Sequence, residues 1–312
     1  MPNKEKSRLS GARFGRGHRP SIASVIFAVL FIATAGSIPA ASADPLDMQN
    51  CQKDDEQSVA ACTKIIDDTA ASAADRAAAL IVRGLAYDVK HDYDHAIVDY
   101  SQAISLDPDN SDAFYDRGVV WREKGNINRA IADYDEAIRL NPEYEYAYVN
   151  RGLAWYDKGD DDRAIADYNE AIRIDPNDAI AYHNRGLAWH AEGGNDRAIA
   201  DYDEAIGLDP KNSGYYVDRG NALDDKGDRD HAIADYNEAI RIDPNDADAY
   251  GNRGVVWHEK GDDDRAIADY TDAIRLNPNY ALAYKNRGVA WQAKGDTARA
   301  NADFDKAKSL GN

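Results

Sequence analysis

Strong metal ligands are scarce in this sequence: it holds 2 cysteines and 7 histidines among 312 residues. Cys51 and Cys62 have no histidine or further cysteine close by, which argues against a zinc site built on thiol pairs. No nucleophile–base pair, zinc motif or glycine-rich phosphate loop is present, so the chain reads as a non-enzyme that needs no cofactor. Positive charge is also short. The 37 basic side chains face 56 acidic ones, a net of −19. Such a surface repels phosphate backbones and excludes nucleic acid as a natural partner, while favouring basic peptides or proteins. With 44% hydrophobic and 30% charged residues, the composition is that of a folded, very soluble protein.

Long apolar runs are missing as well, with one exception. VIFAVLFIA at 25–33 follows a segment carrying Lys4, Lys6, Arg8, Arg13, Arg16 and Arg19, and precedes Ala41-Ser42-Ala43. Basic segment, short apolar segment and small-x-small site make residues 1–43 a secretory signal peptide. An uncleaved anchor is the alternative, although the run is shorter than the ~20 residues of a spanning helix. No cysteine ends the run, so a lipid anchor is not expected. Either reading exports everything from Asp44 onward, to the periplasm in a Gram-negative cell and otherwise to the medium. The membrane is involved only if the leader stays uncleaved. Removing residues 1–43, with six basic side chains and one acidic, takes the net charge from −19 to −24. In an oxidising compartment Cys51 and Cys62 are expected to form a disulfide, with the chain turning in the polar run at 52–58.

What the sequence has in abundance is repetition. AIADYNEAIRIDPNDA occurs at 164–179 and again at 232–247. Arg-Gly recurs at 83–84, 117–118, 151–152, 185–186, 219–220, 253–254 and 287–288, always 34 residues apart. Seven units therefore begin at Ala77, Ser111, Glu145, Ala179, Ser213, Ala247 and Ala281. Each reads as two helices. In the third, a first helix runs roughly from Tyr146 to Lys158 and Gly159 supplies a left-handed cap. Asp160, Asp161 and Asp162 suit the positive start of a second helix. That helix carries the stripe Ala164, Ile165, Tyr168, Ala171 and Ile172, and Asp175-Pro176 ends it. Gly152, a helix-interior glycine repeated in every unit, implies backbone-to-backbone packing of the two helices.

Tyr148-x2-Arg151-Gly152-x2-Trp155…Ala164-x3-Tyr168…Pro176 resembles the tetratricopeptide repeat pattern W-x2-L-G-x2-Y…A-x3-F…P. The resemblance covers residues 77–312. It implies an all-α fold, a right-handed superhelical solenoid of stacked antiparallel helix pairs, whose first helices line a concave protein-binding groove. Residues 44–76, with SVAACTKIID at 58–67 as a weakened second helix, read as a degenerate cap. At the far end Asn301 and Lys308 replace the stacking isoleucines, as a surface without a neighbour requires; a monomer is expected.

Arginine stands where the family has leucine, at 83, 117, 151, 185, 219, 253 and 287, matched one for one by aspartate at 99, 133, 167, 201, 235, 269 and 303. The pattern allows a basic stripe for anionic ligands or an internal ladder of ion pairs, and the matching favours the ladder. Variation concentrates on one face of the first helices. The expected groove set is Tyr115, Arg122, Tyr146, Val149, Tyr156, Ile180, His183, His190, Asp224, Asp225, Asp248, His258 and Glu259, aromatic in its first half, acidic and open in its second. The alternative is that these are ordinary solvated positions. The Lys and Asn with which some family members grip a C-terminal carboxylate are not carried over, since Lys285 and Asn221 fall in different units. The second reading, a metal carrier or enzyme using His183, His190 and His258, meets the difficulty that His183 and His190 lie roughly 10 Å apart along one helix. The expected partner is a protein or peptide with basic and apolar residues.

Overall fold

A computed structural model describes residues 43–51 and 58–311, so residues 1–42 of the proposed leader and most of the turn at 52–58 lie outside the described residues. Among the described residues there are sixteen helices and no strand. They fall into two compact units divided after Pro176. The first holds α1 (Pro45–Cys51), α2 (Ser58–Asp67), α3 (Ala73–Val89), α4 (Tyr93–Leu106), α5 (Ser111–Glu123), α6 (Ile127–Leu140), α7 (Glu145–Asp157) and α8 (Asp161–Ile174). The second holds α9 (Ala179–Ala191), α10 (Asn195–Leu208), α11 (Ser213–Lys226), α12 (Arg229–Ile242), α13 (Ala247–Glu259), α14 (Asp263–Leu276), α15 (Ala281–Ala293) and α16 (Thr297–Ser309). From α3 on, each odd-numbered helix packs on the even-numbered helix that follows, and within each unit successive pairs stack.

Local chemistry sets the helix ends. α7 stops at Lys158 because Gly159 takes φ 74°, and Asp160 then caps α8 by accepting the Arg163 N–H at 3.2 Å. The same left-handed glycine follows five more first helices; in the first repeat His91 holds it at φ 59°. α8 ends where Asp175, before Pro176, turns extended.

The repeated helix-interior glycine has a different cause from the one its position suggests. A Cβ on Gly152 would lie 2.7 Å from Cε1 of Tyr168, on the facing helix. Equivalent rings lie over Gly84, Gly118, Gly186, Gly220, Gly254 and Gly288, the last under Phe304. Room for a fully buried aromatic ring, more than backbone contact, is what the glycine supplies. At the chain's first end a disulfide joins Cys51 to Cys62 inside a cluster with Ala61, Ile65 and Ala79. At the other, Asn301 and Lys308 are exposed, whereas Ile165 is buried.

Candidate first-helix binding face

Seven arginine–aspartate forks run through the helix pairs. Arg219 is typical: Nε and Nη2 donate to the two oxygens of Asp235 at 2.8 and 2.6 Å, and Nη1 reaches Asp203 of the preceding repeat at 2.6 Å. Arg117 reaches back likewise to Ser101, Arg253 to Asn237 and Arg287 to Thr271. Every fork thus ties its own pair together, Arg83, Arg117, Arg151, Arg219, Arg253 and Arg287 also reach the pair before, and from Arg117 onward the guanidinium lies over the aromatic ring three residues earlier. These charges are paired within the stack. Burial pushes Asp167 and Asp269 above the usual carboxylate range, with the forks from Arg151 and Arg253 pulling the other way.

A second set of contacts links neighbouring first helices at a separation of 35 residues. In the first unit Asn150 Nδ2 donates to the Tyr115 hydroxyl at 3.1 Å, and Arg122 Nε to Asp157 at 2.9 Å. In the second unit His183 Nε2 meets Asp218 at 2.8 Å and His190 Nε2 meets Asp225 at 2.8 Å. The fifth and twelfth residues of one repeat therefore touch the sixth and thirteenth of the next.

This register corrects the expected groove. Tyr115 and Val149 are each 2% exposed, Asp224 4% and His183 7%, so these four are packed between helices instead of offered to a partner. Tyr115 lies against Tyr144 with centroids 5.0 Å apart, and His183 against Tyr215 at 4.7 Å. The physical reason is that adjacent helices at roughly 8–10 Å bury residues on the flanks of a stripe, which helical periodicity alone assigns to its centre. Arg122, Tyr146, Tyr156, Ile180, His190, Asp225, Asp248 and His258 remain half-buried on the first-helix faces, and Glu259 is exposed. Nor is the second unit's face simply acidic and open. Asp225 holds His190, Glu259 holds Arg229, and Asp248 accepts the Tyr280 hydroxyl. Sequence reasoning missed Asn150, Asp157 and Asp218 as members of this face, for which the 35-residue spacing of complementary side chains was the signal; it also missed Arg229, which reaches Glu259 from a second helix at a separation of 30.

His258 Nδ1 lies 2.6 Å from Asp263 within its own repeat, so each of the three histidines considered as metal ligands faces a different aspartate. No group of three or more metal-ligating side chains occurs among the described residues, and none of their helices is long and apolar enough to cross a membrane. Open crevices of about 540 and 520 Å³ lie at the turns beside Trp189 and Trp257. There Arg197 and Arg265 cover the indoles at 4.5 and 3.7 Å.

Family models described as TPR repeat match residues 120–159, 152–193, 220–261 and 256–295, and models described as tetratricopeptide repeat match 77–110 and 179–212. No relative matches among curated proteins. Among solved structures, a tetratricopeptide repeat protein from Parabacteroides merdae is 23% identical, covering 76% of this chain and 93% of its own, with TM-score 0.62. Pseudomonas aeruginosa PilF is 19% identical over 70% of this chain and 97% of its own, TM-score 0.60. YrrB, a TPR protein with an unusual peptide-binding site, is 22% identical over 59% of this chain and 95% of its own, TM-score 0.51.

Proposed function

The chain belongs to the tetratricopeptide repeat family, and from that premise we propose that it is an exported, monomeric, non-enzymatic adapter whose first-helix faces bind a protein or peptide segment. The observation that carries this reading is a division of labour. Second helices repeat almost letter for letter and supply the buried alanines, tyrosines and fork aspartates of the stack. First helices vary where side chains stay half-exposed: Tyr146 and Tyr156 in one unit, Ile180 and His190 in the other. Variation confined to one face of an otherwise repeated scaffold is what selection for a particular ligand leaves. YrrB, of the same fold, has a peptide-binding site.

Export rests on the leader pattern at 1–43 and accords with the Cys51–Cys62 disulfide. A net charge of −24 after its removal favours a partner segment carrying Lys or Arg beside apolar anchors. The test is site-specific photocrosslinking in the native extract, with the reactive group at Tyr156 or His258 and, for comparison, at Ala166 or Ala268 on second helices. The reading expects one product from the first-helix positions only. Products from the second-helix positions alone would move the binding surface to the opposite side.

A further inference from the structure

The contacts between neighbouring first helices differ between the two units in one chemical respect. In the first, α5 is tied to α7 by Tyr115 with Asn150 and by Arg122 with Asp157. In the second, α9 is tied to α11 by His183 with Asp218 and by His190 with Asp225. Histidine is the side-chain type that changes charge between about pH 5 and 8, a range over which tyrosine, asparagine, arginine and aspartate ordinarily hold theirs. His183 and His190 are seven residues apart on α9, and so are Asp218 and Asp225 on α11, which makes the two contacts parallel rungs two turns apart. The other described histidines are engaged within their own repeats. His91, His95 and His231 are exposed beside Tyr93, Asp92 and Asp228, and His258 meets Asp263.

Both rungs have surroundings that suit a charged imidazole. His183 is 7% exposed; α11 sets Asp218 2.8 Å from its Nε2 and Tyr215 4.7 Å from its ring, and α10 sets Tyr202 at 5.7 Å. The carboxylate supplies a counter-charge, and tyrosine rings attract a cation. His190, half-buried, meets the Asp225 carboxylate from α11 at 2.8 Å. A neutral imidazole still donates one N–H to such a carboxylate. The imidazolium makes the same contact with opposite charges on both sides, which strengthens it.

We propose that these rungs make the α9–α11 seam a pH-sensitive clamp, tightening in acid and slackening in mild alkali, while the α5–α7 seam stays indifferent. The sign follows from linkage: an imidazole that holds its proton more firmly when folded contributes stability below histidine's ordinary value of about 6.5, and loses it as pH rises. His190 and Ile180 lie on the first-helix face, so the clamp sets how rigidly the second unit holds that face.

The experiment is amide hydrogen exchange on the full chain at about pH 5.5 and about pH 8, with rates converted to protection factors so that the intrinsic pH dependence of exchange drops out. Two strengthened ion pairs should make protection of α9 and α11 about three- to tenfold higher in acid. Protection of α5 and α7 should be the same at both. His183→Gln with His190→Gln is expected to abolish the difference, since glutamine keeps a donor but gains no charge. Asp218→Asn with Asp225→Asn should abolish it from the other helix, and serves alone if the glutamine variant does not fold. Equal protection of α9 and α11 at the two pH values would overturn the clamp. So would higher protection in alkali, an equal rise in α5 and α7, or a difference that the double variants retain. No partner takes part, so the outcome is independent of where the crosslinking experiment places the binding surface.

Discussion

Tyr168 lies directly over Gly152: a Cβ added to the glycine would stand 2.7 Å from Cε1 of the ring. Alanine is the better helix former by about 1 kcal/mol, so propensity alone would make Gly152→Ala stabilising. Packing opposes it, because the ring is fully buried and has no free volume to retreat into. Overpacking of this kind costs about 1–3 kcal/mol. Gly152→Ala is therefore expected to lower the midpoint of urea unfolding, and Gly152→Ala with Tyr168→Leu to recover part of the loss. A raised midpoint for the single variant would refute the account.

That glycine also marks how far the sequence could be read. Its recurrence announces a close approach, but the atom that approaches belongs to a residue 16 positions later on another helix. Features set within one helical turn were legible in full: the cap at Gly159, the carboxylates at 160–162 and the stripe through Ile165 were all evident. The Arg219–Asp235 fork was legible because the same pair recurs in every repeat; its third contact, to Asp203, was not, since that partner changes from repeat to repeat. Tyr115 and His183 were misassigned for a related reason. Their position on the helix is that of a groove residue, yet contacts to Asn150 and Asp218 in the next repeat take them out of solvent.

The ladder arginines are expected to carry stability rather than binding. Arg219→Ala leaves Asp235 buried without its counter-charge, and breaking a buried pair from one side costs about 3 kcal/mol. Arg219→Ala with Asp235→Leu should regain more than half of that loss, because the uncompensated charge is gone. Thermal unfolding of the two variants side by side decides the matter. A single variant as stable as the parent would mean that the fork is ornamental.

Stability toward acid should be governed by the caps. Arg163, through its side chain and then its N–H, holds the Asp160 carboxyl below the usual range; for Asp262 and Asp296 the N–H of Arg265 and of Arg299 leads and the side chain follows. A carboxyl depressed in the folded state contributes stability above its unfolded pKa, about 3.9, and loses it as pH falls through the folded value. Asp167 and Asp269 run the other way. Burial raises them, so protonation near the same range relieves a cost. Replacing Asp160, Asp262 and Asp296 by Asn should flatten the fall of melting temperature between about pH 5 and pH 3. An undiminished fall in the triple variant would place the acid-sensitive groups elsewhere.

Binding and stability should separate among the tyrosines of the first unit. Tyr115 is buried, with its ring on Tyr144 and its hydroxyl accepting from Asn150. Tyr115→Ala opens a cavity between two repeats and should cost about 3 kcal/mol of stability. Tyr156 is half-buried on the first-helix face, and Tyr146, also half-buried, packs against the neighbouring cluster. Truncating either removes less buried surface, so the fold should survive. If the face binds a partner, aromatic anchors at these positions supply large contact area at low entropic cost, and Tyr146→Ala with Tyr156→Ala should weaken the captured complex by about 2 kcal/mol. Melting temperature and dissociation constant, measured on both variants, give the two axes of the test. The assignment predicts that Tyr115→Ala moves mainly the first and the double variant mainly the second. A double variant that melts early yet binds with unchanged affinity would reverse it, and would make these tyrosines part of the stack rather than of the surface it presents.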